Sequence, residues 1–208
     1  TVATATQNSI TTMTGLTTVG AAATASTIAG IPFYSADTSS MYTADVSGTD
    51  STAQHNASYG YEATDAITTG DNNTAMGSAA LSANTTGAGN AAFGRAALKL
   101  NVDTANNTAV GFNALENNIA ANNVAVGYSA GNANTTGTRN IAIGYQAYDA
   151  SDTENDNLAI GYNAMTTDTA GGTANLAIGN YALDALTSGD FNVGVGMNAL
   201  SALTTGGY

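Results

Sequence analysis

The side chains that most often carry catalysis or bind transition metals are scarce in this sequence. Its 208 residues include no Cys and one His, His55. Because hydrolytic triads and transition-metal sites rely on His or Cys, we expect His55 to be a solvated loop residue, the protein not to be an enzyme, and no cofactor to be needed. Lys and Arg number 3 against 15 Asp and Glu, for a formal charge of -12. Nucleic acid, which attracts clustered cations, is therefore not an expected partner.

One acidic segment has the spacing of a weak cation site. Asp152, Glu154 and Asp156 stand at alternate positions, and their carboxylate oxygens are ligands that Ca²⁺ accepts. The segment lacks the glycine at the sixth position and the late glutamate of a calcium loop. We favour a solvated acidic turn, with a weak calcium site as the alternative.

Tyrosines recur at intervals that would bring them into one row, namely Tyr61, Tyr128, Tyr145 and Tyr162. On a fibre surface, Tyr128, Tyr145 and Tyr162 could contact a glycan or a protein receptor. The favoured alternative is that they only cover a corner of the fold. Threonine-rich turns also raise an ice-binding interpretation, which we disfavour because these threonines do not recur on a strand face in every unit.

The elements that must position these residues are repeats led by asparagine. The leading residues are Asn56, Asn73, Asn90, Asn107, Asn123, Asn140, Asn157, Asn175 and Asn192. Successive steps between them are 17, 17, 17, 16, 17, 17, 18 and 17 residues. A fixed period of this kind is the signature of a repeat architecture.

The units share a pattern when each leading asparagine is numbered as position 0. Position 4 is Gly and position 7 is Ala in every unit, position 3 is always apolar, and position 2 is Ala in all but two units. Three central units carry it as Asn123, Ala125, Val126, Gly127, Ala130, Asn140, Ile143, Gly144, Ala147, Asn157, Ile160, Gly161 and Ala164. Recurrent Gly and β-branched residues disfavour a helix, and the alternation with period two predicts a short strand. Gly at position 14 of six units predicts a tight turn.

Stacking such units predicts an all-β protein, a parallel β-solenoid or β-roll of nine turns of about 17 residues. At roughly 4.8 Å per turn the rod would be about 43 Å long. We expect the bulky side chains at positions 1 and 3, such as Val126, Ile143 and Ile160, to fill the interior. The Ala and Gly side would then pack against other copies, with the alternative that these small residues only keep the roll flat inside. The leading asparagines would form a ladder of side-chain amides.

A single rod of this kind has a thin core, which predicts self-association about a cyclic axis.

Residues 56–208 form the predicted array. Residues 1–55 form a separate Thr- and Ala-rich region, interpreted as short β segments or an irregular attachment or assembly region, with degenerate extra turns of the array as the alternative. The final unit has no recognisable cap, so we expect the chain to continue or another copy to stack head to tail on it. No apolar run approaches a membrane span, and we expect no membrane insertion.

The unit Asn-Ile-Ala-Ile-Gly-Tyr-Gln-Ala, from Asn140 to Ala147, resembles the head repeat of YadA-type trimeric autotransporter adhesins. The stretch from Asn107 to Leu115 resembles repeats of bacteriophage tail-fibre proteins. The resemblance implies a homotrimeric, left-handed parallel β-roll in the shaft or head of a surface fibre, without catalytic residues. The longer period favours the phage type.

The function expected on this basis is that of a non-enzymatic structural fibre protein. The favoured form is a bacteriophage tail or receptor-binding fibre shaft that attaches to a host-surface glycan or protein. A bacterial cell-surface adhesin head and a subunit of a self-assembling extracellular filament are the alternatives. Each would be extracellular, on a virion or at a cell surface.

Overall fold

The computed structural model describes residues 26–28, 31–33, 41–42, 52–150, 153–167 and 172–206. These residues contain twelve short β-strands and no helix. The strands are β1 (Ser26–Ile28), β2 (Ile31–Phe33), β3 (Met41–Tyr42), β4 (Ala57–Tyr59), β5 (Thr74–Met76), β6 (Ala91–Phe93), β7 (Thr108–Val110), β8 (Val124–Val126), β9 (Ile141–Ile143), β10 (Leu158–Ile160), β11 (Leu176–Ile178) and β12 (Val193–Val195).

Strands β3 to β12 form one sheet in chain order, with every neighbouring pair parallel. Equivalent residues of successive units lie opposite each other, as Val124 does with Ile141. The predicted all-β parallel β-solenoid is therefore confirmed. β3 precedes Asn56, so the parallel sheet begins upstream of the predicted array, while β1 and β2 form an antiparallel pair within the region predicted to be separate.

Glycine at position 4 is required by the contact between successive turns. Gly144 has φ +139, and a β-carbon on it would overlap the carbonyl oxygen of Gly161 in the next unit. The same overlap recurs along the rod, as it does for Gly127 against Gly144. We expected these glycines to face other copies, and that expectation is wrong: they lie where one turn stacks on the next in the same chain.

The strand faces are also the reverse of the prediction. Ala125 at position 2 is fully buried, whereas Val126 at position 3 is 36% exposed. Ala at positions 2 and 7 and the residue at position 8, such as Leu115, form the core. Because the roll is narrow, the Leu side chains that reach in from the next corner leave room for only methyl groups on the strand. Ile143 and Ile160 on the outward side of the strand are accordingly only partly buried.

The leading asparagines are buried and tie each turn to the next. Along the row, each side-chain Oδ1 accepts a hydrogen bond from the backbone N–H of the next leading asparagine, at 2.8 to 3.0 Å. The Nδ2 group donates across its own turn, as Asn107 does to the Ala120 carbonyl at 2.8 Å. In the predicted ladder of side-chain amides, only Asn192 donates to the preceding leading amide, at 3.0 Å to Asn175 Oδ1. From Asn56 to Asn175, each amide instead bridges two main-chain groups.

A second row of buried asparagines lies at position 11, formed by Asn84, Asn101, Asn118 and Asn134. Asn134 donates from Nδ2 to Asn118 Oδ1 at 2.7 Å and to the Gly137 carbonyl at 2.9 Å. Both amide atoms of Asn84 are buried without a hydrogen-bond partner. Ile67 and Leu186 take the same position in other units and are fully buried, so an aliphatic side chain fits there.

Replacing Gly144 by Ala should destabilise the rod through both backbone strain and overlap with Gly161, by about 3 to 5 kcal/mol. Gly196→Ala is the matched control, since Gly196 has φ +125 but a β-carbon added to it would have no neighbouring atom within 4 Å. It should cost only the strain, about 1 to 3 kcal/mol. Urea unfolding measures both, and equal losses would contradict the stacking explanation.

Asn84 and Asn134 both lie in the sequence Ala-Asn-Thr-Thr-Gly, which makes them a second matched pair. Asn84→Leu removes an unpaired buried amide and should stabilise the protein by about 1 to 3 kcal/mol, whereas Asn134→Leu removes hydrogen bonds and should destabilise it by about 1 to 2 kcal/mol. The two free energies of unfolding are compared in urea. Identical changes would show that the amide bonding of this row does not control stability.

Candidate functional surface

The outward side of strands β4 to β12 is a largely apolar surface that runs along the rod. We call positions 1 and 3 of these strands the strand face, and none of its residues is charged. Its second half carries Val124, Val126, Ile141, Ile143, Leu158, Ile160, Leu176, Ile178, Val193 and Val195. Val195 is 63% exposed and Ile141 is 38% exposed. Regular pairing aligns these ten residues in two rows over roughly 19 Å, within a strand face that is roughly 40 Å long from β4 to β12. An exposed apolar patch of this kind marks an interaction site.

The predicted tyrosine row forms an aromatic column that follows the glycines at position 4 of the units. The column consists of Phe112, Tyr128, Tyr145, Tyr162 and Tyr181, with ring centroids 5.0 to 5.4 Å apart. The first four rings are stacked within 9° of parallel, and Tyr181 is inclined at 64° to Tyr162. The guanidinium of Arg95 lies 5.1 Å from the Phe112 ring centroid, a cation–π contact that caps one end.

Stacking limits what the aromatic column can bind. The ring faces of Tyr128 and Tyr145 are covered by their neighbours, so a sugar ring cannot lie flat on them. Their edges remain open, since these two side chains are 46% and 43% exposed. Recognition of a glycan or protein by Tyr128, Tyr145 and Tyr162 stays a prediction, and it would have to use ring edges and hydroxyl groups.

Sequence reasoning found only part of this column. Phe112 and Arg95 stand at position 5 like the tyrosines, and a comparison by position instead of residue type would have found them. Tyr181 stands at position 6 of its unit, and its ring still reaches Tyr162. Tyr61, which was predicted to belong to the row, is 74% exposed and has no ring contact among the described residues.

The carboxylates of the acidic turn are held by different partners. Asp152 lies outside the described residues. Glu154 is buried, and the backbone N–H and hydroxyl of Thr153 donate to its carboxylate at 3.1 Å. Arg139 donates to both oxygens of Asp156 at 2.6 and 2.7 Å, which lowers the pKa of Asp156. No cluster of three or more His, Asp or Glu suited to a metal occurs in the described part of the chain.

His55, the only histidine of the sequence, is exposed and has a left-handed backbone with φ 60. Within the described residues, no helix is long and apolar enough to cross a membrane.

Comparisons with protein-family models, with curated proteins and with solved structures found no match.

Two carboxylates outside these surfaces respond oppositely to their surroundings. Partial burial raises the pKa of Asp149 above its ordinary value of 3.8. Hydrogen bonds from the backbone N–H and the hydroxyl of Thr173, at 2.8 and 3.0 Å, lower the pKa of Asp190. The folded state thus favours the protonated form of Asp149 and the ionised form of Asp190.

These shifts give a pH-dependent prediction for Asp149→Asn. A raised folded-state pKa means that the stability contributed by Asp149 is complete below its unfolded pKa and is lost as pH rises through the folded pKa. The variant should therefore melt slightly higher than wild type at neutral pH, and the gain should vanish well below pH 3.8.

Asp190→Asn removes the same single charge and is the control. Its charged acceptor bonds become neutral ones, so its melting temperature at neutral pH should fall slightly or stay unchanged. An equal rise in both variants would mean that relief of net negative charge, and not the burial of Asp149, is responsible.

Proposed function

We propose that this chain is a non-enzymatic structural protein of an extracellular fibre, namely the shaft of a bacteriophage tail or receptor-binding fibre. The observation that carries the proposal is the strand face, on which in-register units present bulky apolar side chains outward. Repetition of a unit that contacts only its neighbours supplies length and stiffness, and an outward apolar face supplies a means of joining rods side by side.

The proposed occupant of the strand face is a second and a third copy of the same chain in a parallel homotrimer. Within one rod, the core along the strands consists of alanine methyl groups such as those of Ala125, Ala142 and Ala159. Burying the two strand-face side chains of a turn would add about 1.5 to 3 kcal/mol for each Val, Leu or Ile that becomes fully covered. A closed symmetric assembly would cover this face on every copy.

The protein carries a formal charge of -12, and like charges on identical rods repel. The strand face avoids this cost where contact would be closest, because its two rows contain no charged residue. Arg139 and Asp156, an exposed ion pair, stand just before strands β9 and β10 and outside the two rows of the strand face. Electrostatics therefore permits association through the strand face more readily than through the remaining surface.

Substitution on the strand face tests this proposal. Ile143→Asp together with Ile160→Asp should weaken association by roughly two orders of magnitude or more, because assembly would bury unpaired carboxylates. The β-sheet circular dichroism should be retained, since both side chains point outward. Native mass spectrometry and sedimentation measure the assembly, and a wild-type chain that is a stable monomer at micromolar concentration would refute the trimer.

The matched control substitutes the inward neighbours. Ala142→Asp and Ala159→Asp place a carboxylate in the core, where the parent residues are 2% and 0% exposed. They should abolish the β-sheet signal itself, as a charge without a partner is costly inside the rod. Retention of the fold by these variants would show that the inward and outward faces have been assigned incorrectly.

Detection of the chain in its natural source tests the phage assignment separately. Mass spectrometry of purified virions should recover its peptides, and antibody labelling should fall on the fibres. Recovery from a cell envelope or from extracellular filaments would replace the phage fibre by the adhesin head or the filament subunit, respectively.

A further inference from the structure

One pair in the aromatic column differs from the others in its geometry. The rings of Tyr162 and Tyr181 have centroids 5.4 Å apart and are inclined at 64°, while the Tyr128–Tyr145 and Tyr145–Tyr162 pairs are inclined at only 9°. The backbone N–H of Tyr181 donates to the Tyr162 carbonyl at 2.9 Å. Adjacent turns of the rod therefore hold these two side chains next to each other.

We propose that Tyr162 and Tyr181 form an oxidative modification site at which a dityrosine bond joins two successive units of the rod. The oxidant is a haem peroxidase with hydrogen peroxide. Each phenol loses one electron and the hydroxyl proton to give a phenoxyl radical. The two radicals couple between carbons adjacent to the oxygens, and the two hydrogens on those carbons shift to oxygen to restore both phenols. One hydrogen peroxide takes up the two electrons and two protons and yields two waters.

The geometry of the product selects this pair within the column. In dityrosine, the new carbon–carbon bond lies in the planes of both rings, and the rings are twisted about it. Nearly parallel stacked rings must swing apart to reach that arrangement, whereas the inclined rings of Tyr162 and Tyr181 are closer to it. Burial and the neighbouring Tyr162 hydroxyl raise the pKa of Tyr181, which is consistent with adjacent hydroxyls and hence with adjacent coupling carbons.

The pair is also accessible to the oxidation. Tyr162 and Tyr181 are 43% and 39% exposed. The chain contains no Trp and no Cys, so tyrosines are not in competition with the side chains that most readily lose an electron. Stacking at 5.0 and 5.1 Å further allows an oxidised Tyr128 or Tyr145 to recover its electron from the next ring, so a radical formed there can reach Tyr162.

The bond would act as a covalent staple along the rod. It would close a loop between residues 162 and 181 and restrict the unfolded chain, as a disulfide of similar loop length does. The melting temperature of the linked protein should rise by roughly 5 to 10 °C. This inference depends on the geometry of one chain and is independent of the proposed fibre function.

The experiment treats the full chain with a haem peroxidase and hydrogen peroxide, then digests it with a protease that cleaves before aspartate. Cleavage before Asp156, Asp168 and Asp184 releases peptides 156–167 and 168–183, each with one tyrosine. The expected product is a linked pair of these peptides whose mass is their sum less two hydrogen atoms, with dityrosine fluorescence. It should come from chains that still migrate as single chains in a denaturing gel.

Two variants and one condition keep the test decisive. Tyr181→Phe should remove the linked peptide, and Tyr61→Phe, at an exposed tyrosine with no ring contact among the described residues, should leave its yield unchanged. Unfolding in urea before oxidation should reduce the yield at least fivefold. Absence of the 162–181 link in the folded protein, an equal yield in urea, or preferential linkage of Tyr128 to Tyr145 would overturn the proposal.

Discussion

The architecture depends on the two hydrogen bonds that each buried leading asparagine from Asn56 to Asn175 makes to the main chain. The amide accepts from the N–H that opens the next strand and donates to the carbonyl that closes its own turn, so one side chain satisfies main-chain groups that strand pairing leaves unpaired. Buried main-chain groups need such partners. Aspartate has no donor for the carbonyl, and alanine has neither group. This requirement explains the recurrence of asparagine in every unit.

The tight stacking held by these amides determines the composition of the remaining positions. Glycine is needed where a β-carbon would meet the next turn, as at Gly144. The narrow interior accepts Ala125 and Ala142 on the strand, together with the larger side chain of Leu115 from the following corner. Val126 and Ile143 are then left on the outside. The apolar strand face is thus a direct consequence of how closely the turns approach, and it is the feature on which the proposed self-association depends.

The repeat, the short strands and their in-register parallel pairing could be predicted from sequence, because period and alternation determine them. Which side of the strand faces inward could not. Alternation places Ala125 and Val126 on opposite faces of the strand. The usual expectation that the larger residue is buried fails here, because the narrow interior of the roll has room only for a methyl group on the strand. The amide bridge was similarly missed, since Asn107 could equally have paired with another side chain. Tyr181 was missed because it stands at position 6 of its unit, whereas the other tyrosines of the row stand at position 5.

Amide hydrogen exchange, measured by NMR, tests the central role of the asparagine bridge most directly. The backbone N–H groups of Asn73, Asn107 and Asn140, which donate to the preceding asparagine side chains, should exchange only through global unfolding and with a common free energy. These groups could instead exchange as fast as the backbone N–H of an exposed residue such as Asp103. That result would contradict the account, because the asparagine hydrogen bonds would then open without unfolding of the rod.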